Sequence, residues 1–582
     1  MNKHTIFFCL VSLGFIPGYL PASEQTKPQA DSSFTAILVV APDRGFMGNE
    51  ETRDAFARVN HENKALVFVT DERSKTYLDN AITDLKKRGA RDMTVLPLFI
   101  SDQRPVWRLA YSWLSNGICN KSFQCNISKP FGQSYFAVDV LEEALLQIPE
   151  PEKKNLVLIG YGANDAVTTK RMAEDWQRIF GWTDQGKKFR SVTTLIWTTD
   201  DGERQSKQLT QLAAKSDTVL LGFHLGPRLD SMMNFDASLR RSIPDGADSH
   251  LLTAEIGSDI TGLWLQRETN RCLIRGQEDI GVIINAHGSD FIWNQTMRDA
   301  LASLDSRYKI EYAFSMADRP SIETALTRLQ QRGVKGAVIV RVFGRKDSFQ
   351  DTIEKMVGMD VETEMIQHHG QHAGHDMAVR PVESETTHQG QHTGHDMAGG
   401  HGADGHTMMG GRIRTPLVVT SFGGLEDHPL FAEALLDRAR HLSREPGKET
   451  IILVAHGAGE DSQNAAWMQI LERLAEHMRI MGGDQFRAIK FATWREDWPG
   501  KREEWIARVR DMVEKARGDN GRAIVIPART NSVGPEAEFL EGLDYVLGEG
   551  FAPNPLFARW VELQIREGIT ALSANDRDPI EQ

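Results

Sequence analysis

Cysteines and long apolar runs are scarce in this sequence, and its 67 lysines and arginines are outnumbered by 80 acidic residues. The formal net charge is −13 at pH 7, which argues against a general nucleic-acid binder, because such proteins carry an excess of lysine and arginine. Beyond the first 23 residues, no segment stays apolar over the roughly 20 residues that a membrane-spanning helix requires. We therefore expect a mature chain that is soluble and does not span a membrane.

The first 23 residues have the pattern of a secretory signal peptide. A short basic start at Lys3 precedes an apolar stretch from Ile6 to Ile16, and small residues follow at Ala22 and Ser23. This pattern predicts a cleaved leader and a periplasmic or secreted protein. The alternative is an uncleaved anchor, although the apolar stretch is too short to cross a bilayer.

Only three cysteines follow this leader. Cys119 and Cys125 enclose a short polar loop and could close a small disulfide ring in an oxidising compartment. A metal site is the alternative, but their spacing is wider than that of the usual CxxC clip. We predict the disulfide, and we interpret Cys272 as a structural thiol.

One strand-and-turn element occurs four times. In each copy an apolar run reaches a small, turn-prone cluster and an amphipathic segment follows, which predicts a buried parallel strand that enters a helix. Two copies end in Ala-His-Gly, with His287 and His456, whereas Pro42 and Tyr161 stand at the same position in the other two. Because parallel sheets bind ligands beyond the carboxyl ends of their strands, these histidines are expected to point at a ligand.

The spacing of the four copies predicts the architecture. They recur at about 120 to 130 residues once a His-rich stretch is set aside, which is a usual size for one α/β domain. We predict an α/β fold of tandem units, each a parallel sheet flanked by helices, arranged as two duplicated bilobal halves. Because the duplication is internal, the chain could be a monomer. After the leader at 1–23, the predicted units are 32–150, 151–275, 276–445 with an insert at 365–411, and 446–575.

Strand-like apolar runs alternate with helical patterns along the whole sequence, as in proteins with parallel sheets. The runs that we predict as strands are 36–41, 64–69, 93–100, 155–160, 192–197, 217–223, 281–286, 336–343, 417–421, 450–455, 488–493 and 522–528.

The insert at 365–411 contains a local repeat, HHGQHAGHDMA and HQGQHTGHDMA, and has too few apolar residues to build a core. Imidazole suits late first-row divalent metals, and the thioethers of Met377, Met397, Met408 and Met409 suit copper in its reduced state. We interpret the insert as a metal-binding segment for storage or local concentration; the alternative is a solvated linker. Its nine histidines are His368, His369, His372, His375, His388, His392, His395, His401 and His406.

The two Ala-His-Gly turns are candidate catalytic or metal-binding sites. A single histidine at a strand end often bonds only to backbone or water, but here two copies carry it at the same position. Carboxylates follow each histidine within a few residues, at Asp290 and at Glu460 and Asp461. We take His287, His456, Asp290 and Glu460 as candidate catalytic residues, with the two histidines as metal ligands.

These motifs resemble the sirohydrochlorin cobaltochelatases of the CbiX type, which belong to the class II chelatases together with ferrochelatase. The resemblance rests on the strands that end in AHG, on VLPLFIS at 95–101, and on the duplicated unit, and it covers essentially the whole mature chain. It implies that His287 and His456 match the first active-site histidine of the family. A His-rich segment is an accessory of the family's long forms. His428, in LEDHPLF, is a secondary candidate by the same resemblance.

The family's second active-site histidine has no counterpart at the expected turns. In the second unit Arg228 occupies roughly that place, and His224 lies nearby but out of register. Because Pro42 and Tyr161 also replace the first histidine in the amino-terminal half, we expect any chemistry in the carboxyl-terminal half.

The resemblance implies insertion of a divalent metal, with cobalt or nickel favoured, into a tetrapyrrole such as sirohydrochlorin. A neutral imidazole can ligate the incoming ion or accept a pyrrole proton near pH 7. Arg341, Arg345 and Arg529 could meet the carboxylates of the macrocycle, or could be ordinary surface charges. The alternative function is that of a non-catalytic periplasmic metal-binding protein or metallochaperone with a chelatase fold.

Overall fold

The computed structural model describes residues 34–119, 123–162, 165–185, 188–197, 202–214, 217–225, 250–361, 411–531 and 534–573. The predicted signal peptide, Arg228 and all nine histidines of the insert lie outside these residues. None of the helices in the described ranges combines the length and the apolar character needed to cross a bilayer.

The first two units each contain four strands and their connecting helices. The first unit comprises β1 (Thr35–Pro42), α1 (Gly45–Ala57), β2 (Lys64–Val69), α2 (Ser74–Lys87), β3 (Asp92–Pro97), α3 (Pro105–Trp113), β4 (Gln124–Ile127) and α4 (Tyr135–Leu146). The second unit comprises β5 (Asn155–Tyr161), α5 (Ala166–Gly181), β6 (Ser191–Trp197), α6 (Gly202–Ala213), β7 (Thr218–Leu225), β8 (His250–Ile256) and α7 (Ser258–Leu273).

The last two units repeat this order. The third unit comprises β9 (Ile280–Ala286), α8 (Phe291–Leu301), β10 (Lys309–Phe314), α9 (Arg319–Gln331), β11 (Gly336–Val342), α10 (Gln350–Met356), β12 (Val418–Gly423) and α11 (Pro429–Leu442). The fourth unit comprises β13 (Glu449–Ala455), α12 (Asp461–Ile480), β14 (Ala488–Thr493), α13 (Pro499–Ala516), β15 (Arg522–Pro527), α14 (Glu536–Phe539), β16 (Val546–Leu547) and α15 (Pro555–Ser573).

All four sheets have the same topology. In each, the second strand of the unit pairs with the first, the first with the third, and the third with the fourth, and every pairing is parallel. The first strand is therefore internal, and its residues are almost entirely buried, because helices cover both faces of the sheet. The helices that follow the first and third strands leave in opposite directions, so the point at which ligands bind in such sheets lies between the carboxyl ends of these two strands.

The sheets are joined in pairs by shared cores. One apolar cluster contains Ile37 of β1 together with Leu158 of β5, and a second contains Ile284 of β9 together with Leu453 of β13. The outer face of each sheet packs in a smaller cluster of its own. The chain is thus an α/β protein of tandem units arranged as two bilobal halves, as the repeat predicts.

The two halves are connected by buried ion pairs that we call the junction cluster, formed by Asp139, Glu142, Asp360, Arg412 and Arg414. Arg414 Nε lies 2.6 Å from Asp139 Oδ2, and Arg412 Nη1 lies 3.2 Å from Glu142 Oε2. Arg412 Nη2 lies 2.9 Å from Asp360 Oδ2, so the two ends of the His-rich insert meet here. Burial raises the pKa of both Asp139 and Glu142, although the arginines oppose it.

Cys119 and Cys125 form the predicted disulfide. Both cysteines are buried in the outer apolar cluster of the first unit. Cys272 is half-buried in α7.

Candidate metal centre in the carboxyl-terminal half

His456 is the first residue after β13, the internal strand of the fourth sheet. The next residue, Gly457, has a φ of +84°, and a Cβ there would approach the side chains of Asn464 and Thr493 to 2.8 Å. Only glycine therefore fits this turn. The His456 Nδ1 lies 2.9 Å from the Gly457 carbonyl oxygen. Because a carbonyl only accepts, Nδ1 must carry the proton, and the ring is held with Nε2 facing away from its own backbone.

Two carboxylates that follow β14 meet this Nε2 atom. Asp497 Oδ2 lies 2.8 Å from it and Glu496 Oε1 lies 3.3 Å from it. One atom from each of the three side chains lies within 4.8 Å of the others, so a single ion could contact all three. One imidazole and two carboxylates make a donor set for a first-row divalent ion. Within the described residues, His456, Glu496 and Asp497 therefore form a candidate metal centre.

The protonation of the centre follows from its contacts. Burial disfavours a charged ring, but the hydrogen bond to Asp497 and the charge of Glu496 outweigh it and raise the pKa of His456. The hydrogen bond with His456 in turn is the main reason why the pKa of Asp497 is lowered. Without a metal, the geometry fits an imidazolium that donates from both nitrogens. A metal ion at this position would replace the Nε2 proton.

Arg529 holds Glu496 in place. It leaves the end of β15, the other strand beside β13, and pairs with both carboxylate oxygens of Glu496, with Nη1 at 3.1 Å from Oε1. Its Nε also lies 3.3 Å from Glu536. Burial lowers the pKa of Arg529, but these two carboxylates more than compensate and raise it. Arg529 therefore positions the carboxylate of Glu496 in the centre.

His287 occupies the matching position at the end of β9 in the third unit. Its Nδ1 lies 2.6 Å from the Gly288 carbonyl oxygen, so its ring has the same tautomer as that of His456, and it is exposed. The charge of His287 contributes to the lowered pKa of Asp497, after the larger effect of His456. The Asn531 Nδ2 atom donates to the Trp293 carbonyl oxygen at 3.4 Å, across the same pair of units. The strand ends of the two units therefore face each other.

An apolar surface adjoins His287. Phe291 and Ile292, in the first turn of α8, are 78% and 72% exposed. On the other side the ring of Trp498 meets that of His456 edge to face, with 5.6 Å between the ring centroids. The neighbourhood of the two histidines thus offers apolar area to a flat ligand.

The other predicted carboxylates lie elsewhere. Asp290 caps α8, where its Oδ1 accepts the Trp293 amide at 2.8 Å. Asp461 pairs with Arg495 and Lys501 at 2.8 and 2.9 Å. Glu460 is exposed at the start of α12, and the centre formed by His456 in the described residues does not include it.

The remaining candidates have structural contacts. His428 precedes α11 and accepts the Leu430 amide at 3.1 Å through Nδ1, which requires the proton on Nε2. His224 lies near the end of β7, with Nδ1 at 3.4 Å from the Leu225 carbonyl oxygen. Arg341 is buried and donates to Ser421 Oγ at 2.9 Å, whereas Arg345 pairs with Asp347. Neither arginine belongs to the centre.

The sequence did not single out Glu496 and Asp497, although a signal was present. They lie in the turn after β14, the parallel neighbour of β13, and the carboxyl ends of parallel strands lie at one edge of the sheet. The acids predicted from the sequence, Asp290, Glu460 and Asp461, are those that follow the histidines along the chain.

The solved structures that match this chain include distant relatives of chelatase type. No protein-family model matches the chain, and no curated protein matches it. A multi-domain protein of Deinococcus radiodurans, described as structurally similar to chelatases, matches with 16% identity and a TM-score of 0.29; the match covers 52% of this chain and 56% of that one. This chain therefore spans about half of its length. The sirohydrochlorin chelatase SirB of Bacillus subtilis, solved in complex with cobalt, matches with 17% identity and a TM-score of 0.28, over 40% of this chain and 94% of that one. SirB has also been solved with ferric iron, and that structure matches with 16% identity and a TM-score of 0.29.

Fold and site together define a class: a tandem parallel-sheet α/β protein with a candidate divalent-metal centre at the end of an internal strand. Similarities this distant do not place the chain in a family.

Proposed function

We propose that the protein inserts a divalent metal ion into a tetrapyrrole, with His456 as metal ligand and proton acceptor. The observation that supports this most is the meeting of His456, Glu496 and Asp497 at the carboxyl end of an internal parallel strand. Cobalt and nickel are the favoured substrate metals because of the resemblance to sirohydrochlorin cobaltochelatases, and an imidazole ligand is compatible with late first-row divalent ions.

The reaction requires two events that this centre can serve. The metal ion must leave water for four ring nitrogens, and two pyrrole N–H protons must be removed. Glu496 and Asp497 attract the cation and replace part of its hydration. When the ion moves to the macrocycle, Nε2 of His456 is left free beside Asp497, where it can accept a proton. The same nitrogen thus first binds the metal and then the proton.

His287 would lie on the opposite side of the ligand. It is exposed, its Nε2 atom faces away from the Gly288 carbonyl, and it follows the equivalent strand. The exposed Phe291 and Ile292 beside it would contact the apolar ring system. In this arrangement His287 receives the second pyrrole proton.

The test is an insertion assay with sirohydrochlorin and either Co²⁺ or Ni²⁺, followed by the change in the absorption spectrum of the macrocycle. We expect His456→Ala to lower the rate above the spontaneous reaction by about 100-fold or more, and Glu496→Gln by about tenfold. His441→Ala is the matched control, because His441 is exposed on α11 and its Nδ1 bonds to the Asp437 carbonyl of its own helix. A wild-type rate equal to the spontaneous reaction would exclude insertion of these metals.

The alternative is a metal-binding protein without turnover. Its support is the same three-ligand centre together with the histidines and methionines at 365–411, a segment that could hold Co²⁺, Ni²⁺ or copper. Equilibrium dialysis of the wild type, of His456→Ala and of a chain lacking 365–411 would count the bound ions. Metal lost in both variants, with no insertion by the wild type, would establish this alternative. An unchanged count after the deletion would exclude a storage role for the segment.

We also propose that the chain is exported and loses residues 1–23. Mass spectrometry of the protein purified from its native host would show the mature amino terminus, and a chain that keeps Met1 would contradict the proposal.

A further inference from the structure

In the amino-terminal half, Pro42 and Tyr161 stand at the histidine positions, and two arginines lie just beyond the ends of β1 and β3. Arg44 follows the end of β1, and Arg104 directly precedes α3, which follows β3. These two strand ends flank the ligand-binding point of the first sheet. Tyr161, the last residue of β5, occupies the histidine position of the second sheet.

Arg44 is half-buried, and among the described residues no carboxylate lies within ion-pair distance of it. Its Nη2 donates to the Gly48 carbonyl at 2.8 Å and to Thr52 Oγ1 at 2.6 Å. Its Nε and Nη1 atoms are buried and have no hydrogen-bond partner. Burial, opposed by the charge of Glu51 and supported by that of Arg104, lowers the pKa of Arg44 to about 10. Two unused donors beside a second positive charge would be satisfied by an anion.

Arg104 reaches across from the first unit to the second. Its guanidinium lies 5.6 Å from the centre of the Tyr161 ring, and its Nε lies 3.3 Å from the position that a Cβ would take at Gly162. Gly162 has a φ of +126°, and it corresponds to Gly288 and Gly457 of the histidine turns. Within the described ranges, neither Arg104 nor Arg44 forms an ion pair.

The residues beside the arginines also indicate that part of the ligand is apolar. Phe46 and Met47, in the first turn of α1 beside Arg44, are 77% and 49% exposed. Apolar side chains this exposed at a strand-end site offer area to an apolar ligand. The pair of planar guanidinium groups suits carboxylates, which they can bind through two parallel hydrogen bonds.

We propose that the amino-terminal half holds a separate binding site in which Arg44 and Arg104 take the carboxylates of a small molecule with an apolar body. The proposed role is binding alone, because Pro42 and Tyr161 stand at the two histidine positions of this half. It does not depend on the activity proposed for the carboxyl-terminal half.

The test uses coproporphyrin III, whose four carboxylates surround an apolar ring, as a fluorescent probe. Binding is measured to the full chain carrying His287→Ala and His456→Ala, so that the result is independent of insertion. In this background we expect Arg44→Gln and Arg104→Gln each to weaken binding about tenfold or more, since hydrogen bonds to charged groups contribute on that scale. Arg104→Lys, which keeps the charge but loses the forked geometry, should weaken binding by a smaller factor.

The matched control is Arg108→Gln, an exposed arginine on α3 one turn after Arg104. Its affinity should stay within about twofold of the parent, because a surface charge contributes little. Circular dichroism and the melting temperature show whether each variant is folded. If a glutamine variant does not fold, the affinity of Arg104→Lys still tests the proposal. Equal affinity in all folded variants would overturn the proposal, and so would an equal loss in Arg108→Gln.

Discussion

The imidazole Nε2 of His456 lies 2.8 Å from Asp497 Oδ2, although the two residues are 41 positions apart and follow different strands. The contact exists because β13 and β14 are parallel neighbours and end at the same edge of the sheet. It joins a group with a raised pKa to one with a lowered pKa, and it therefore determines how the centre responds to pH.

Metal binding at this centre should weaken as the pH falls. The ion and the Nε2 proton compete for one nitrogen, and Asp497 and Glu496 raise the pKa of His456 above its ordinary value of 6.5, against the effect of burial. The midpoint of the pH dependence of Co²⁺ affinity, measured by calorimetry, should thus lie above 6.5. Asp497→Asn removes a raising contact and should shift the His456 titration, followed by NMR, to lower pH. A midpoint below 6.5 in the wild type would contradict this assignment.

The same contact makes a pH-dependent contribution to stability. The raised pKa of His456 means that its contribution is fully present below the unfolded-state pKa and is lost as the pH rises through the folded-state value. The lowered pKa of Asp497 acts in the opposite direction, because its contribution is lost as the pH falls through its folded-state value. The charged pair is therefore most stabilising between these two limits, and Asp497→Asn should remove the high-pH loss. If the pair contributes nothing, the urea unfolding midpoints of the wild type and of Asp497→Asn will depend on pH in the same way from pH 4 to 9.

A second buried acid, Asp175 on α5, should destabilise the fold as it ionises. Burial is the main reason why its pKa rises to about 6, with Arg178 and Ser101 opposing the change. Because the folded state binds the proton more tightly than the unfolded state, stability falls as the pH rises between about 4 and 6, by about 3 kcal/mol in total. Asp175→Asn should flatten this slope in urea unfolding. Asp79→Asn, on the exposed face of α2, should leave the slope as it is.

Arg412 should be needed for the two halves of the chain to stay packed against each other. Its side chain is 2% exposed and faces the carboxylates of Glu142 and Asp360. Arg412→Met would leave these acids buried without their partner, which costs about 3 to 5 kcal/mol for a buried pair. The urea midpoint and the rate of proteolysis at the junction measure the loss. Arg473→Met, which breaks the more exposed pair with Asp427, should cost less than about 1 kcal/mol, and an equal loss in both variants would contradict the argument.

Removal of the disulfide should have a moderate effect. Cys119 and Cys125 close a short loop, for which the restriction of the unfolded chain amounts to about 2 kcal/mol. The double variant Cys119→Ser/Cys125→Ser should lower the free energy of unfolding by this amount and leave metal binding at His456 intact. Mass spectrometry with thiol labelling shows whether the bond is formed in the purified protein. Two reactive thiols in the native wild type would contradict the pairing.

Much of the fold could be predicted from the sequence, because buried internal strands are continuous apolar runs. IILVA in β13 and AVIV in β11 are of this kind. The strands that the sequence did not predict are β4, β8, β10 and β16. In β10 the sequence KIEYAF alternates polar and apolar residues on a half-buried edge, and β16 has only two residues, so neither produces an apolar run.

The site was harder to predict for a different reason. His287 and His456 stood out because a repeat places them at strand ends, and the structure leaves both there. Glu496 and Asp497 meet His456, and Arg529 meets Glu496, because β14 and β15 flank β13 in the sheet. Sequence neighbours of the histidines, such as Asp290, instead bond to the start of the following helix. Strand order was the missing information.

The contact between Asp360 and Arg412 has a consequence for the length of the insert. Because Arg412 Nη2 lies 2.9 Å from Asp360 Oδ2, and the Ile413 amide donates to the Met356 carbonyl at 2.7 Å, the chain departs and returns at one point of the folded body. Closing a loop at such a point costs only about 0.6 kcal/mol more for each doubling of its length. A change in the number of residues between 361 and 411 is therefore expected to leave the packing of the two halves intact, which the melting temperature of the chain lacking 365–411 would show.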